Sequence, residues 1–236
     1  MDQFSRMKKI ISQENFEKIQ NSHVAVFGLG GVGSYVVEAL SRCGVKELTL
    51  IDKDVIDETN INRQIFALFS TIGQAKVDVA KERILNINPK AKVNIIKKFY
   101  SKENDIDLSG CDYIVDAIDT VSSKLDLAEK CQNLNIPIIS SMGTGNKLDP
   151  TRFMISDIYK TSVCPLCKVM RRELKKRGIK NLKVVYSDER PLKTFDSKEK
   201  QESNVHLKQT PGSISFVPGT AGLIIASEVV KDLMSR

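Results

Sequence analysis

Long apolar runs are missing from this chain. The longest near the C-terminus, Ala221 to Ala226, is closed by Ser227 and Glu228. A membrane-spanning helix needs about 20 apolar residues. The first residues, Met1-Asp2-Gln3-Phe4-Ser5-Arg6, hold no apolar signal-peptide core. Both absences lead to the expectation of a cytoplasmic protein with no membrane partner. Cysteine is scarce and odd in number, with five in 236 residues. An odd count without a secretion signal argues against a disulfide framework. Cys43, Cys111 and Cys131 sit in apolar settings that suit packing. No internal repeat is evident. Charge is only modestly unbalanced, with 36 Lys and Arg against 29 Asp and Glu, a net of +7. The excess permits a polyanionic partner such as RNA without requiring one. Lys168, Arg171, Arg172, Lys175, Lys176, Arg177, Lys180 and Lys183 concentrate it, which fits an RNA contact or a solvated helix face.

What is present is an alternation of buried strands and helices. A short amphipathic helix is expected over Ser12 to Ile19. Val24 to Phe27 is continuously apolar, the pattern of a strand covered on both faces. A helix is expected over Gly31 to Arg42, closed by Gly44. A strand over Glu47 to Ile51 ends at Asp52. A helix over Gly73 to Asn86, a strand over Val93 to Ile96 and a strand over Tyr113 to Val115 follow. Ser122 to Asn133 reads as helix and Ile136 to Ser140 as strand, with Pro137 at its start. Beyond Met142 the pattern becomes mixed. Strands are expected over Arg152 to Ile155 and Lys183 to Tyr186, and a basic helix over Pro165 to Arg177. A short strand is expected over Ile214 to Val217, and a final helix over Thr220 to Leu233. The expectation is an α/β fold, a Rossmann-like largely parallel sheet with helices on both faces and a C-terminal mixed strand/helix extension. It would form one domain over 1–236. Residues 24–145 would be the nucleotide-binding core, and residues 146–236 a substrate-side extension with a mobile loop near 188–210.

Gly28-Leu29-Gly30-Gly31-Val32-Gly33 lies between a predicted strand and a predicted helix, the context a phosphate-binding glycine turn requires. Gly28, Gly30 and Gly33 permit a tight turn and close backbone approach, and Gly31 belongs to the same turn. The helix N-terminus then offers free N–H groups to phosphate. Asp52 ends the second strand, where a carboxylate accepts hydrogen bonds from ribose hydroxyls. Asn60, Asn62, Arg63 and Gln64 follow at the same sheet edge. Arg63 carries a fork of donors suited to polyphosphate oxygens. Lys76 opens the next helix and adds a second cation. Asp119 follows the fourth strand at the same edge. A carboxylate beside polyphosphate is repulsive unless a cation intervenes, so Mg²⁺ is expected there. The set favours ATP over a nicotinamide dinucleotide, because the Asn/Arg/Gln cluster has no role in hydride transfer.

These motifs, with Gly73-x-x-Lys76 and Asp116-Ala117-Ile118-Asp119, resemble the adenylating enzymes related to ubiquitin-activating enzyme over roughly residues 5 to 145. A closer resemblance covers nearly the whole chain. Asn62-Arg63-Gln64, Met142-Gly143-Thr144-Gly145-Asn146, Asp149-Pro150-Thr151, Asp157-Ile158-x-x-Thr161, Met170-Arg171-Arg172-Glu173-Leu174 and Phe216-Val217-Pro218 are similar to the tRNA threonylcarbamoyladenosine dehydratases. The resemblance implies ATP-dependent adenylation of the threonyl carboxylate of a modified adenosine beside the anticodon. Loss of AMP would then accompany ring closure by the neighbouring carbamoyl group. It implies Arg63 and Lys76 on the triphosphate, Asp52 on the ribose and Asp119 on Mg²⁺. It also implies a homodimer in which Arg6 crosses into the partner's site, with tRNA as the substrate.

Cys164-Pro165-Leu166-Cys167 departs from the dehydratase pattern, which often has Asp-Pro-Leu here. Activators of sulfur-carrier proteins bind structural zinc through two such Cys pairs, and this chain has one. The pair therefore reads as inert packing, as a redox or sulfur-handling dithiol, or as half of a metal site shared with another chain or His206. The alternative function is ATP-dependent activation of a small sulfur-carrier or ubiquitin-like protein C-terminus. The absence of cysteine between Asp188 and Gln209 counts against a thioester-forming version. A sulfur-transfer partner protein is compatible with the resemblance.

Overall fold

The computed structural model describes residues 2–195 and 211–236. The strands are β1 (His23–Phe27), β2 (Glu47–Ile51), β3 (Lys92–Ile96), β4 (Tyr113–Asp116), β5 (Ile138–Ser141), β6 (Phe153–Asp157) and β7 (Lys183–Ser187). The helices are α1 (Gln13–Gln20), α2 (Gly33–Arg42), α3 (Lys76–Ile87), α4 (Val121–Leu134), α5 (Pro165–Lys176) and α6 (Phe216–Met234). All seven strands join one sheet in the order β3-β2-β1-β4-β5-β7-β6. Every pairing is parallel except β6 on β7. The chain runs outward from β1 to β3, then returns to lay β4 beside β1. That reversal makes a crevice between the C-terminal ends of β1 and β4, where open α/β sheets bind ligands.

The apolar strands are covered on both sides. Val24 and Val26 of β1 lie in one cluster with Leu48, Leu50 and Val115, beneath residues of α2, α3 and α6. Their neighbours Ala25 and Phe27 join Ile51, Ile114 and, from α4, Leu127 and Cys131 on the opposite face. A third cluster packs α5 on β7, with Met170 and Leu174 against Val184 and Tyr186. This two-sided burial is the reason these strands carry no polar alternation.

Local chemistry fixes the ends. Ser12 Oγ accepts the Asn15 N–H at 3.2 Å and starts α1. Gly44, with φ +87°, lets the chain leave α2 in the left-handed conformation. The expected helix over Gly31 to Arg42 begins two residues later, at Gly33. The helix expected from Gly73 begins at Lys76, because Gly73 turns the chain at φ +82°.

The strand expected over Ile214 to Val217 is not formed, since α6 already begins at Phe216. A short apolar run does not distinguish strand from buried helix. Pro218 lies in the first turn of α6, where backbone N–H groups have no intrahelical partner. Gly222 lets α6 press on α2, since a Cβ there would stand 2.5 Å from the Val32 carbonyl oxygen. Residues 196–210 lie outside the described residues, and with them most of the loop expected near 188–210 and His206. Among the described residues, no helix is long and apolar enough to cross a membrane.

Candidate nucleotide-binding site

The glycine turn sits at the mouth of the crevice between β1 and β4. Gly28 has φ +87°, and a Cβ there would lie 2.7 Å from the Ala117 carbonyl oxygen at the exit of β4. A Cβ on Gly33 would lie 1.8 Å from the Gly28 oxygen, so the turn closes only with hydrogen at that position. Gly30 is different, because a Cβ there would meet no atom within 4 Å. Its α-carbon faces open space at the start of α2, and no side chain caps that helix. The free N–H groups and positive helix end therefore present an anion-accepting surface.

Asp52 is tied to this turn. Its Oδ2 accepts the Leu29 N–H at 2.6 Å, and its Oδ1 accepts the Asp54 N–H at 2.8 Å. Each oxygen keeps acceptor capacity for a ligand hydroxyl. Asp54 in turn holds Lys76, the first residue of α3, with Nζ 3.1 Å from Asp54 Oδ2. Lys76 is thus buried and linked to Asp52 through one intervening aspartate.

The Asn60–Gln64 cluster divides into two kinds of residue. Asn60 is buried and its Oδ1 accepts the Asp57 N–H at 3.3 Å, closing a capping box with Asp57. Gln64 is also buried. Asn62 and Arg63 reach outward. A Cβ on Gly31 would lie 3.3 Å from Arg63 Cγ and 3.1 Å from Pro218 Cβ, so the Arg63 stem packs on the glycine turn under α6. Its Nη1 donates to the Thr59 oxygen at 2.8 Å and to Asn62 Oδ1 at 2.9 Å. The remaining guanidinium donors are uncommitted among the described residues.

Two features of the surroundings were not foreseen from sequence. The first is a buried pair, Lys124 on α4 with Asp116 at the end of β4, Nζ to Oδ2 3.1 Å. Lys124 also donates to the Ser141 oxygen at 2.7 Å, and Ser140 Oγ donates to Asp116. Asp116 Oδ1 accepts the Ile118 N–H at 3.1 Å and so shapes the loop carrying Asp119. A lysine on an otherwise apolar helix face was the available signal. The second feature is a strap. Asn146, at φ +58°, accepts the Gly212 N–H on its Oδ1 at 2.7 Å, and its own N–H reaches the Gly212 oxygen at 2.8 Å. Ser213 oxygen then accepts from Asn62 Nδ2 at 3.1 Å. The turn after β5 is thereby linked through residues 212–213 and Asn62 to Arg63.

Asp119 is exposed, and its Oδ1 accepts the Thr120 hydroxyl at 3.2 Å. Among the described residues, no group of three or more His, Cys, Asp or Glu side chains is arranged to hold a metal by itself. A single carboxylate fits Mg²⁺ only where phosphate oxygens complete the shell, which is its usual mode in nucleotide sites. Arg6 lies elsewhere. Phe4 packs on Phe16 at a ring separation of 5.3 Å and against Gly44, just past the C-terminal end of α2. The glycine turn is at the other end of that ten-residue helix, about 15 Å away. Arg6 is exposed and stands apart from the nucleotide crevice of its own chain.

A helix start aimed into the reversal point of a doubly wound sheet, with an arginine packed on the turn, defines a nucleotide-binding α/β protein. The chain belongs to the ThiF family, whose model matches residues 4–236. It is 47% identical to the tRNA threonylcarbamoyladenosine dehydratase of Bacillus subtilis, over 99% of this chain and 95% of that protein. Identity to the Escherichia coli enzyme of the same name is 30%, over 99% of this chain and 94% of that one. The crystal structure of the E. coli tRNA N6-threonylcarbamoyladenosine dehydratase in complex with ATP matches with a TM-score of 0.89 and 32% identity. That match covers 99% of this chain and 94% of the other. The same enzyme in complex with AMP also matches with a TM-score of 0.89. The α/β fold and the family expected from the motifs are both borne out.

Proposed function

We propose that this protein is an ATP-dependent tRNA threonylcarbamoyladenosine dehydratase. The observation that carries this reading is the likeness to dehydratases, which spans 99% of this chain and 95% and 94% of two of them. That likeness favours this reading over the alternative, activation of a sulfur-carrier protein.

The chemistry follows from the site. A carboxylate is a poor electrophile, and transfer of AMP to it supplies a good leaving group. Arg63, stationed on the glycine turn, would neutralise charge on the triphosphate as pyrophosphate departs. Lys76 would add charge from the start of α3, released from or shared with Asp54. The free N–H groups of α2 would take the phosphate nearest the ribose, and Asp52 would accept the ribose hydroxyls. Mg²⁺ held by Asp119 would supply further neutralisation of the polyphosphate. Attack by the adjacent carbamoyl group is intramolecular, so positioning alone suffices to favour ring closure with loss of AMP.

Substrate tRNA would lie on the outer face of α5. Among the described residues Lys168, Lys175 and Lys180 are exposed and have no ionic partner. Arg177 is drawn to Asp126 and Glu129 at 2.6 and 3.0 Å, and Arg172 and Lys176 to Glu173. The useful positive face is therefore narrower than the run of charges in the sequence. A homodimer would bring Arg6 to the partner's site, and the enzyme would act in the cytoplasm, on its tRNA pool.

The test is incubation with ATP, Mg²⁺ and tRNA carrying threonylcarbamoyladenosine, followed by nucleoside mass spectrometry. The expected result is loss of one water from that nucleoside with stoichiometric AMP. AMP formation that ignores tRNA and responds to a carrier protein with a diglycine tail overturns the proposal.

A further inference from the structure

The nucleotide chemistry makes no use of Cys164-Pro165-Leu166-Cys167, yet the fold builds an enclosed sulfur site there. Cys164 is the N-cap of α5, Pro165 opens the helix, and Cys167 lies one turn on. Both cysteines are buried, 2% and 0% exposed. Cys164 Sγ faces the Cys167 sulfur and the backbone N–H groups of Cys167, Gly143 and Leu166. Gly143 is close enough that a Cβ on it would lie 3.6 Å from that sulfur. Arg171, one turn further along α5, donates to Thr161, and both groups face Cys167. The backbone is strained to seat the pair. Val163, immediately before Cys164, has φ +59°, a conformation that a β-branched residue rarely adopts.

The other three cysteines differ from this pair. Burial pushes the Cys43 thiol up, Cys111 up to about 11 and Cys131 up to about 12. Hydrogen bonds from Cys167 and the surrounding N–H groups instead pull Cys164 down to about 5, against the opposing effect of burial. Donation to Cys164 and burial together raise Cys167. The surroundings thus favour the thiolate at Cys164 and the thiol at Cys167. Two residues at i and i+3 of a helix start lie within the Cα separation a disulfide spans, about 4.4–6.8 Å. Metal binding is the competing use of such a pair. Among the described residues no third His, Cys, Asp or Glu completes a metal cluster here.

We propose that Cys164 and Cys167 form a redox-active dithiol that is oxidised by hydroperoxides, with Cys164 the attacking sulfur and Cys167 the resolving one. A hydroperoxide is the oxidant class that suits the site, because it is small enough to reach an enclosed sulfur that a bulky disulfide does not. The Cys164 thiolate attacks the terminal peroxide oxygen. The S–O bond forms as the O–O bond breaks, and the leaving oxygen departs with the electron pair as hydroxide or alkoxide. Cys167 sulfur then attacks the Cys164 sulfenic acid, its proton passing to the departing hydroxyl, so that water leaves and the S–S bond forms. Two thiol groups are oxidised and one peroxide bond is reduced. The disulfide withdraws the acceptor for the Gly143 N–H, in the turn that leads to Asn146.

The test uses the reduced full-length protein and peptide mass spectrometry of each cysteine. In a brief iodoacetamide pulse between about pH 6 and 8, Cys164 alkylation should stay flat within about twofold. Cys43 alkylation should rise about tenfold per pH unit, as expected of an ordinary or raised thiol. Stoichiometric hydrogen peroxide, followed by N-ethylmaleimide in denaturant, should yield a peptide lacking two hydrogens that links Cys164 to Cys167. Cys167→Ser should leave a sulfenic acid on Cys164 that dimedone traps. Three results overturn the proposal: Cys164 alkylation that climbs with pH like Cys43, oxidation of Cys43 or Cys111 ahead of the pair, or zinc co-purifying on these two sulfurs. The alkylation and peroxide mapping need no variant, so a Cys167→Ser protein that fails to fold does not blunt the test.

Discussion

Gly30 and Gly33, two of the four glycines of the turn, should respond to the same substitution in opposite ways. Gly33→Ala places a methyl 1.8 Å from the Gly28 carbonyl oxygen. Ordinary contact needs more than about 3 Å, so the chain must move by more than about 1 Å. The obstacle is backbone, with no rotamer to relieve it, so the cost falls at the upper end of overpacking penalties, about 3 kcal/mol. Better helix propensity of alanine returns up to about 1 kcal/mol of that. Gly30→Ala meets no atom within 4 Å and Gly30 has no positive φ. Its unfolded-state entropy term should leave stability unchanged or raise it by about 0.4–1 kcal/mol. The new methyl occupies the space into which the ATP phosphate would come, however, and ATP affinity should fall at least tenfold, about 1.4 kcal/mol. Urea denaturation without nucleotide and calorimetric titration with ATP separate the two effects. Equal loss of stability in both variants, or unaltered ATP binding by Gly30→Ala, would refute this account of the turn.

The other expectations concern the surroundings of the site. Lys124→Met strips the cation from Asp116, which is 0% exposed, and should destabilise the fold by about 3–5 kcal/mol. A loss under about 1 kcal/mol in urea denaturation would show that the pair does not hold the β4 exit. Glu38 is held below the usual carboxylate value, because hydrogen bonds from Arg83 and Arg42 outweigh the burial that opposes its ionisation. Its folded value is depressed, so its contribution is complete above the unfolded value near pH 4.3 and is lost as pH falls through the folded one. Glu38→Gln should therefore be less stable than wild type at neutral pH, with the gap closing under acid; a gap that persists there contradicts the pairing. Replacing Lys168, Lys175 and Lys180 by alanine should reduce the log–log salt slope of tRNA binding by roughly 2–3, with helix content unchanged by circular dichroism. Asn62→Ala frees the Arg63 fork from its neighbour and should raise KM for ATP more than it lowers kcat; an unchanged KM would exclude the strap from nucleotide binding.

What could be read from the sequence was what depends on local pattern. β1, β2 and β4 are apolar on both faces, so their burial is written in consecutive residues, and the glycine turn announces itself between a strand and a helix. The limits came where a residue's role depends on a partner far along the chain. Asn60 has the same side chain as Asn62, yet one closes a capping box with Asp57 and the other reaches Ser213, 151 positions away. Ile214 to Val217 has a strand's composition, yet α6 starts at Phe216 and packs closely on α2, where a Cβ on Gly222 would meet the Val32 oxygen, a tertiary contact that local composition does not show. Arg6 is the sharpest case. Its place beside Phe4 is set by packing on Phe16 and Gly44, beyond the end of α2 that faces away from the glycine turn. No small motion brings it across the length of that helix to its own crevice. An arginine finger from this position therefore has to serve a second copy of the chain, so dimerisation is a requirement of that role and dilution below the dimer dissociation constant should abolish whatever Arg6 contributes to AMP formation.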